Sequence, residues 1–283
     1  MNKKKLIKIL ALSFVFLMLA VLYLPIILLI VFSFTNATRF GVWNGFTFEV
    51  YLDMFRHAGL RSALLNTLLI GGVAAFVSTI IGTAAAVGMF YLRGKKRRLA
   101  ESGNRLLLVN PAIVLAVGFL ILFMIFDIHH YGLPTLIITH TIICLPFVVL
   151  TVSPRLKQLN PSVFDAGQDL GAGKLRTLFT VIIPQLVPTM VAAFALAFVI
   201  SADDFIVTVF NSGGGPTGVE TLSMFLWNAR AGQGGEMNPI VLPLSSLIFV
   251  TMFAVLIGVN IWQVKKAKKE RRSISVGSAL ASR

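Results

Sequence analysis

Charge is what this chain has least of. Only 13% of its 283 residues are charged, while 57% are apolar and the mean hydropathy is +0.86. A soluble domain carries about 25% charged residues, so a water-facing globular surface is excluded and the chain belongs in a membrane. Acid is scarcer still, 11 Asp and Glu against 25 Lys and Arg, for a net charge of +14. The bases fall between and outside the apolar runs, which points to membrane topology rather than to nucleic acid. The single cysteine, Cys144, lies inside an apolar run. It excludes an internal disulfide or a multi-cysteine metal site and leaves the redox compartment unreadable.

Other absences remove further classes. No H-E-x-x-H is present, His129 and His130 are neighbours that point apart on a helix, and His140 and His57 stand alone. They read as interfacial polar residues, with no metal expected. Gly171, Ala172, Gly173 and Lys174 look like the tail of a phosphate-binding loop, but Leu175 stands where Ser or Thr is needed and no strand precedes them. ATP is therefore not expected on this chain.

What is present is a series of apolar runs. At about 20 residues per span, candidates lie at roughly 9–33, 63–91, 106–127, 133–152, 187–210 and 240–262. The first follows Lys3, Lys4, Lys5 and Lys8 and has no A-x-A site at its end, so it reads as an uncleaved span and not a signal peptide. Alternate intervals between these spans collect 21 of the 25 Lys and Arg on one side and four on the other. By the positive-inside rule both termini are cytoplasmic. The acids divide the other way, leaving the outer side slightly negative, which favours a cationic solute. Ala74, Ser78, Gly82 and Ala86, and again Thr189, Ala193, Ala197 and Ser201, form rows of small residues suited to close helix packing.

The interval 153–186 is the most informative. Pro161 to Leu170 reads as a short helix interrupted at Gly171 to Gly173, and Leu175 to Ile183 as a second one entering the fifth span. Its Asp165, Ala166, Gly167, Gly171, Val181, Ile183 and Pro184 fill the frame E-A-A, three residues, Gly, nine residues, I-x-L-P. On these residues the chain resembles the permease family of binding-protein-dependent ABC importers. The departures, Asp for Glu, Gly for Ala, Val and Ile for Ile and Leu, keep charge and hydrophobicity. Ser33, Phe34, Trp43, Gly45, Phe46, Thr47, Tyr51, Asn66 and Thr67, then Ala202 to Phe205, Ser212, Gly213, Thr221, Leu222 and Met224, extend the likeness. This wider set is similar to the second permease subunit of spermidine/putrescine importers.

The resemblance implies an all-α, six-span permease of the type I importer fold, a single transmembrane domain over 1–283, in the bacterial inner membrane. It implies a coupling loop whose Asp165, Ala166, Gly167, Gly171 and Pro184 contact the ATPase. The implied partners are a homologous permease, two ATPase subunits that carry ATP and Mg, an extracytoplasmic substrate-binding protein and membrane lipid, with no nucleic acid. No catalytic residue is implied.

Asp203 and Asp204 are the candidate pathway residues. From Pro188 at 1.5 Å per residue, Asp203 lies about 22 Å up the helix, in the outer half of the membrane. A carboxylate facing lipid there costs up to about 3 kcal/mol, so the pair must face protein, water or a cation. Adjacent helical residues diverge by about 100 degrees, so one of them meets the solute while the other pairs elsewhere or caps a helix. Glu220, Phe225 and Trp227 in the following loop are further candidates for ammonium groups. The alternatives are another small solute, whether a different cation, thiamine, iron or sulfate, and an intramembrane aspartyl protease built on Asp127 and Asp203. Asp127 lacks the glycines of that class. Asn110, His140 and Pro146 within the spans argue against an inert anchor, because polar groups and helix breakers at depth line cavities.

Overall fold

In lipid a backbone must satisfy its own N–H and C=O groups, which leaves helices or closed barrels. The structure, a computed structural model, describes residues 3–39, 41–128, 132–159, 173–213, 218–230, 236–254, 257–258 and 261, and among these it is helical with no strand. Long enough and apolar enough to cross a membrane are α1 (Lys3–Phe32), α3 (Ala58–Tyr91), α6 (Leu133–Gln158) and the stretch Leu175–Asp203. A short α2 (Glu49–Arg56) lies between the first two.

The expected third span is two helices, α4 (Gly94–Val109) and α5 (Ala112–Ile125), bent by 103° at the break. Pro111 is the cause. Its ring disfavours helical geometry in the residue before it, and Asn110 is extended at φ −67, ψ 134. Of the sixth, expected at 240–262, the described residues include the helix Val241–Ala254 and the helical residues 257–258 and 261.

The expected loop 153–186 also shifts. α6 continues to Gln158, and helix resumes as α7 (Lys174–Thr177), passes through a π turn at Leu178–Ile182 and becomes α8 (Ile183–Asp203). Pro184 offers no N–H to the turn before it and crowds the carbonyl four residues back; the wider π turn absorbs both. Asp165, Ala166, Gly167 and Gly171 lie outside the described residues.

The chain divides into two compact units, one of residues 58–228 and one of 1–57 with 229–283. In the first, α3, α6 and α8 pack against one another. Ala74, Ser78, Gly82 and Ala86 are all buried, and a Cβ on Gly82 would stand 2.7 Å from Val148 Cβ on α6. A Cβ on Gly71 would meet the Phe198 ring of α8 at 3.2 Å. On α8 itself Ala193, Ala197 and Ser201 are buried and Thr189 is half-buried. Small residues are what let these three backbones approach, because association in lipid is driven by packing rather than by escape from water. Val148, Val152, Leu156, Leu186 and Cys144 fill the space between them.

In the second unit, the apolar window of α1 is exposed throughout. The turn after α1 is fixed by Ser33 Oγ and Tyr51 OH at 2.7 Å and by Thr47 N–H donating to Phe34 O at 2.7 Å. Phe34 stacks on Phe46, and Phe48 meets both rings edge to face.

Candidate functional site

The helix expected to run straight to residue 210 stops at Asp203. Asp204 leaves the helical region at φ −68, ψ 126, and α9 (Ile206–Asn211) begins two residues later. Aspartate offers a backbone N–H an alternative acceptor, and here Asp204 Oδ2 accepts from Thr208 N–H at 3.1 Å. The break parts the two acids. Asp203 is exposed at the last position of α8, while the Asp204 side chain keeps only 14% of its surface. Their divergence comes from the interruption, not from the 100-degree step along one helix.

His140, expected at an interface, is buried at the centre of a polar network. Its Nδ1 lies 2.7 Å from Ser201 Oγ on α8, its Nε2 lies 3.2 Å from Thr208 Oγ1 on α9, and its Nε2 stands 3.9 Å from Asp204 Oδ2. Thr208 O–H donates to the Asp204 carbonyl at 3.3 Å. Thr208 Oγ1 also lies 3.5 Å from Asp204 Oδ2, so the hydroxyl stands between the ring and the acid. One imidazole ring thus joins α6 to both halves of the broken helix. Thr135 extends the seam by donating to Asn211 O at 2.9 Å, and Asn211 Nδ2 donates to Ala116 O of α5 at 3.3 Å. Sequence reasoning missed Ser201, Thr208 and Asn211 as a set. The available signal was the polar run Thr139, His140, Thr141 inside a span, together with Thr208 four residues after Asp204, the spacing of a local cap.

Beside Asp204 is a cavity of about 210 Å³. Leu107, Leu108 and Asn110 at the end of α4, and Ile200 and Asp204 at the end of α8, form two of its walls, with Phe119 and Phe147 on the others. Both breaks therefore present helix C-terminal turns to one space. The unpaired carbonyls of such turns carry partial negative charge. The Asp204 carboxyl group, two negative helix ends, aromatic faces and an apolar wall suit an alkyl chain that ends in an ammonium group.

The other expected site residues are placed differently. Glu220 is committed locally, accepting at Oε1 from Asn228 Nδ2 at 2.7 Å and at its carbonyl from Asn66 Nδ2 at 2.9 Å. Trp227 is half-exposed and lies against Phe205 with ring centroids 5.0 Å apart. Phe225 is buried and belongs to the packing. Pro184 is exposed in the first turn of α8. Asp127 sits just past α5 at φ 55, while Asp204 Oδ2 stands 3.9 Å from the buried His140 Nε2.

The family described as "Binding-protein-dependent transport system inner membrane component" matches residues 78–265. The spermidine/putrescine transport system permease protein PotC of Escherichia coli (strain K12) is 34% identical over 237 residues, 83% of this chain and 88% of that protein. The putrescine transport system permease protein PotI of the same organism is 31% identical over 230 residues, 77% and 79% of the two chains. Among solved structures, a bacterial alginate ABC transporter in complex with an alginate pentasaccharide-bound periplasmic protein aligns with a TM-score of 0.66. It is 18% identical, over 90% of this chain and 92% of the other. The MetNI methionine ABC transporter, inward facing, aligns at 0.55 with 21% identity, over 70% and 91%.

Proposed function

This chain belongs to the family of inner membrane components of binding-protein-dependent transport systems, and we propose that it is a permease subunit of a polyamine importer. Two kinds of support meet here. The relatives named for spermidine and putrescine transport match over most of their length. The single structural observation that carries the reading is the Asp204 carboxylate, held at a helix break beside a largely apolar cavity. Discontinuous helices are where transporters build solute sites, because only there does the membrane interior offer backbone groups to a ligand.

In this reading the basic side of the chain, with both termini, faces the cytoplasm, and six spans cross the membrane. A homologous permease completes the pathway, two ATPase subunits bind ATP, and an external binding protein delivers the solute. ATPase closure acts through the coupling loop with Asp165, Ala166, Gly167 and Gly171. It shifts the permease pair from inward-open to outward-open because the loop contacts differ in free energy between the two ATPase states. The polyamine then leaves its binding protein, and one ammonium group meets Asp204 while its methylenes follow the apolar wall.

The test is uptake of radiolabelled spermidine and putrescine in polyamine-auxotrophic cells carrying the complete transporter, with native chain, Asp204→Asn, or no chain. Uptake that requires the chain, is competed by the other polyamine and is lost in Asp204→Asn supports the reading. Normal assembly without polyamine uptake by the native chain overturns the solute, and undiminished uptake by Asp204→Asn overturns the role of that carboxylate.

A further inference from the structure

At the other end of α3 and α6 a second cavity, of about 120 Å³, has the opposite character. Arg97, Glu101 and Arg105 line it from one stripe of α4, four residues apart, and Lys157 lines it from the last turn of α6. Glu101 Oε1 accepts from Arg97 Nε at 3.1 Å and pairs with Lys157 Nζ at 3.7 Å. It is the one acid between residues 54 and 126. A single carboxylate thus faces three cations, and Arg105 has no ion pair among the described residues. The opposite wall is apolar, made by Met89 and Phe90 from the end of α3 and by Leu150 of α6, which is itself 54% exposed. Phe90 and Lys157 each stand one residue from their helix end, so the cavity lies where two spans leave the apolar layer.

A positive cluster that faces one carboxylate among the described residues, joined to an apolar wall at the membrane surface, is complementary to an amphiphilic anion. We propose that this cleft between α3, α4 and α6 binds the phosphate group of an anionic membrane lipid, with the lipid's chains running along Met89 and Leu150. Arg97 and Arg105 form the two sides of the cradle. Glu101 holds Arg97 and Lys157 in place and, by occupying part of their charge, leaves room for one anion rather than two. The site is independent of which solute the permease carries, because it shares no lining residue with the cavity beside Asp204.

The experiment uses the purified whole transporter, delipidated in mild detergent and then given phosphatidylglycerol or phosphatidylcholine, with retained lipid counted by native mass spectrometry. Each basic residue near a membrane surface contributes roughly fivefold to anionic lipid binding, so Arg105→Gln with Lys157→Gln should weaken phosphatidylglycerol retention roughly tenfold or more. Lys95→Gln with Lys96→Gln removes the same charge from outside the cavity and should change retention little. Leu150→Trp, which keeps every charge but fills the apolar wall, should also lose the lipid. Equal losses in the inner and outer charge pairs would reduce the effect to general surface attraction and overturn the proposal. So would equal retention of the two lipids, or full retention by Leu150→Trp. Displacement of phosphatidylglycerol by millimolar glycerol 3-phosphate or inorganic phosphate would assign the cleft to a soluble phosphate and overturn the lipid.

Discussion

Asp204 and Glu101 are both carboxylates within reach of a basic side chain of α6, His140 for one and Lys157 for the other, and the chain stabilises them by different means. Asp204 keeps 14% of its side-chain surface and is held by dipoles, the Thr208 N–H and the His140–Thr208 network. Glu101 keeps 32% and is held by full positive charges, Arg97 and Lys157. Where water is excluded, a buried ion pair costs about as much in desolvation as it returns in attraction. Dipoles that are already in place hold a charge there and leave it able to bind a cation. Where water reaches, counter-ions are inexpensive to place and individually weak. The difference teaches why our proposal gives the cationic solute to Asp204, the carboxylate without a full counter-charge.

Four substitutions test that contrast, the largest effect first. Asp204→Ala removes both the cap and the negative charge, and polyamine uptake should fall by about 10- to 100-fold, the worth of one charge-assisted hydrogen bond; assembly is checked by co-purification of the other subunits. His140→Phe keeps the volume but strands Ser201 and Thr208. It should cost about 1–2 kcal/mol, seen as a fall of several degrees in the thermal midpoint of the purified complex. Asp203→Asn alters an exposed residue at the helix end, and uptake should stay within about twofold of native, the range of surface substitutions. A loss equal to that of Asp204→Ala would erase the distinction between the two acids. Glu101→Gln should leave the thermal midpoint unchanged at physiological salt and lower it slightly at low salt, because its ion pairs are screened. A large loss at physiological salt would show that the cluster around Glu101 is as closely tied to the fold as the network around His140.

Much of the architecture was legible. The apolar runs located the long helices, since about 20 apolar residues have few other solutions, and the small-residue row Ala74, Ser78, Gly82, Ala86 located a packed face of α3. Helix interruptions were harder to read. Residues 106–127 and 187–210 are apolar enough to pass as single spans, yet each breaks, at Asn110–Pro111 and at Asp204–Phe205. Pro111 was a visible signal at the first. At the second the signal was only the capping distance from Asp204 to Thr208, which also fits an unbroken helix. The site was half legible. The acidic pair Asp203 and Asp204 lies at the helix break that the structure reveals, but Glu220 was spent on Asn228, Phe225 went into the core, and Ser201 carried no mark of its own.

Sequence alone determined that this chain lives in a membrane, that its bases gather between and outside the apolar runs, and which family frame its 153–186 interval follows. Those properties depend on composition and spacing, which no packing can alter. Tertiary structure decided which polar groups meet. Ser201 and His140 are 61 residues apart, and Thr208 lies 68 from His140; only the packing of α6 against the broken α8–α9 helix brings them to hydrogen-bond distance. The same packing decided that Asp204, and not its neighbour Asp203, is buried beside the cavity. Burial is a property of the assembled helices, and burial is what separates a carboxylate that can hold a cation from one that water has already satisfied.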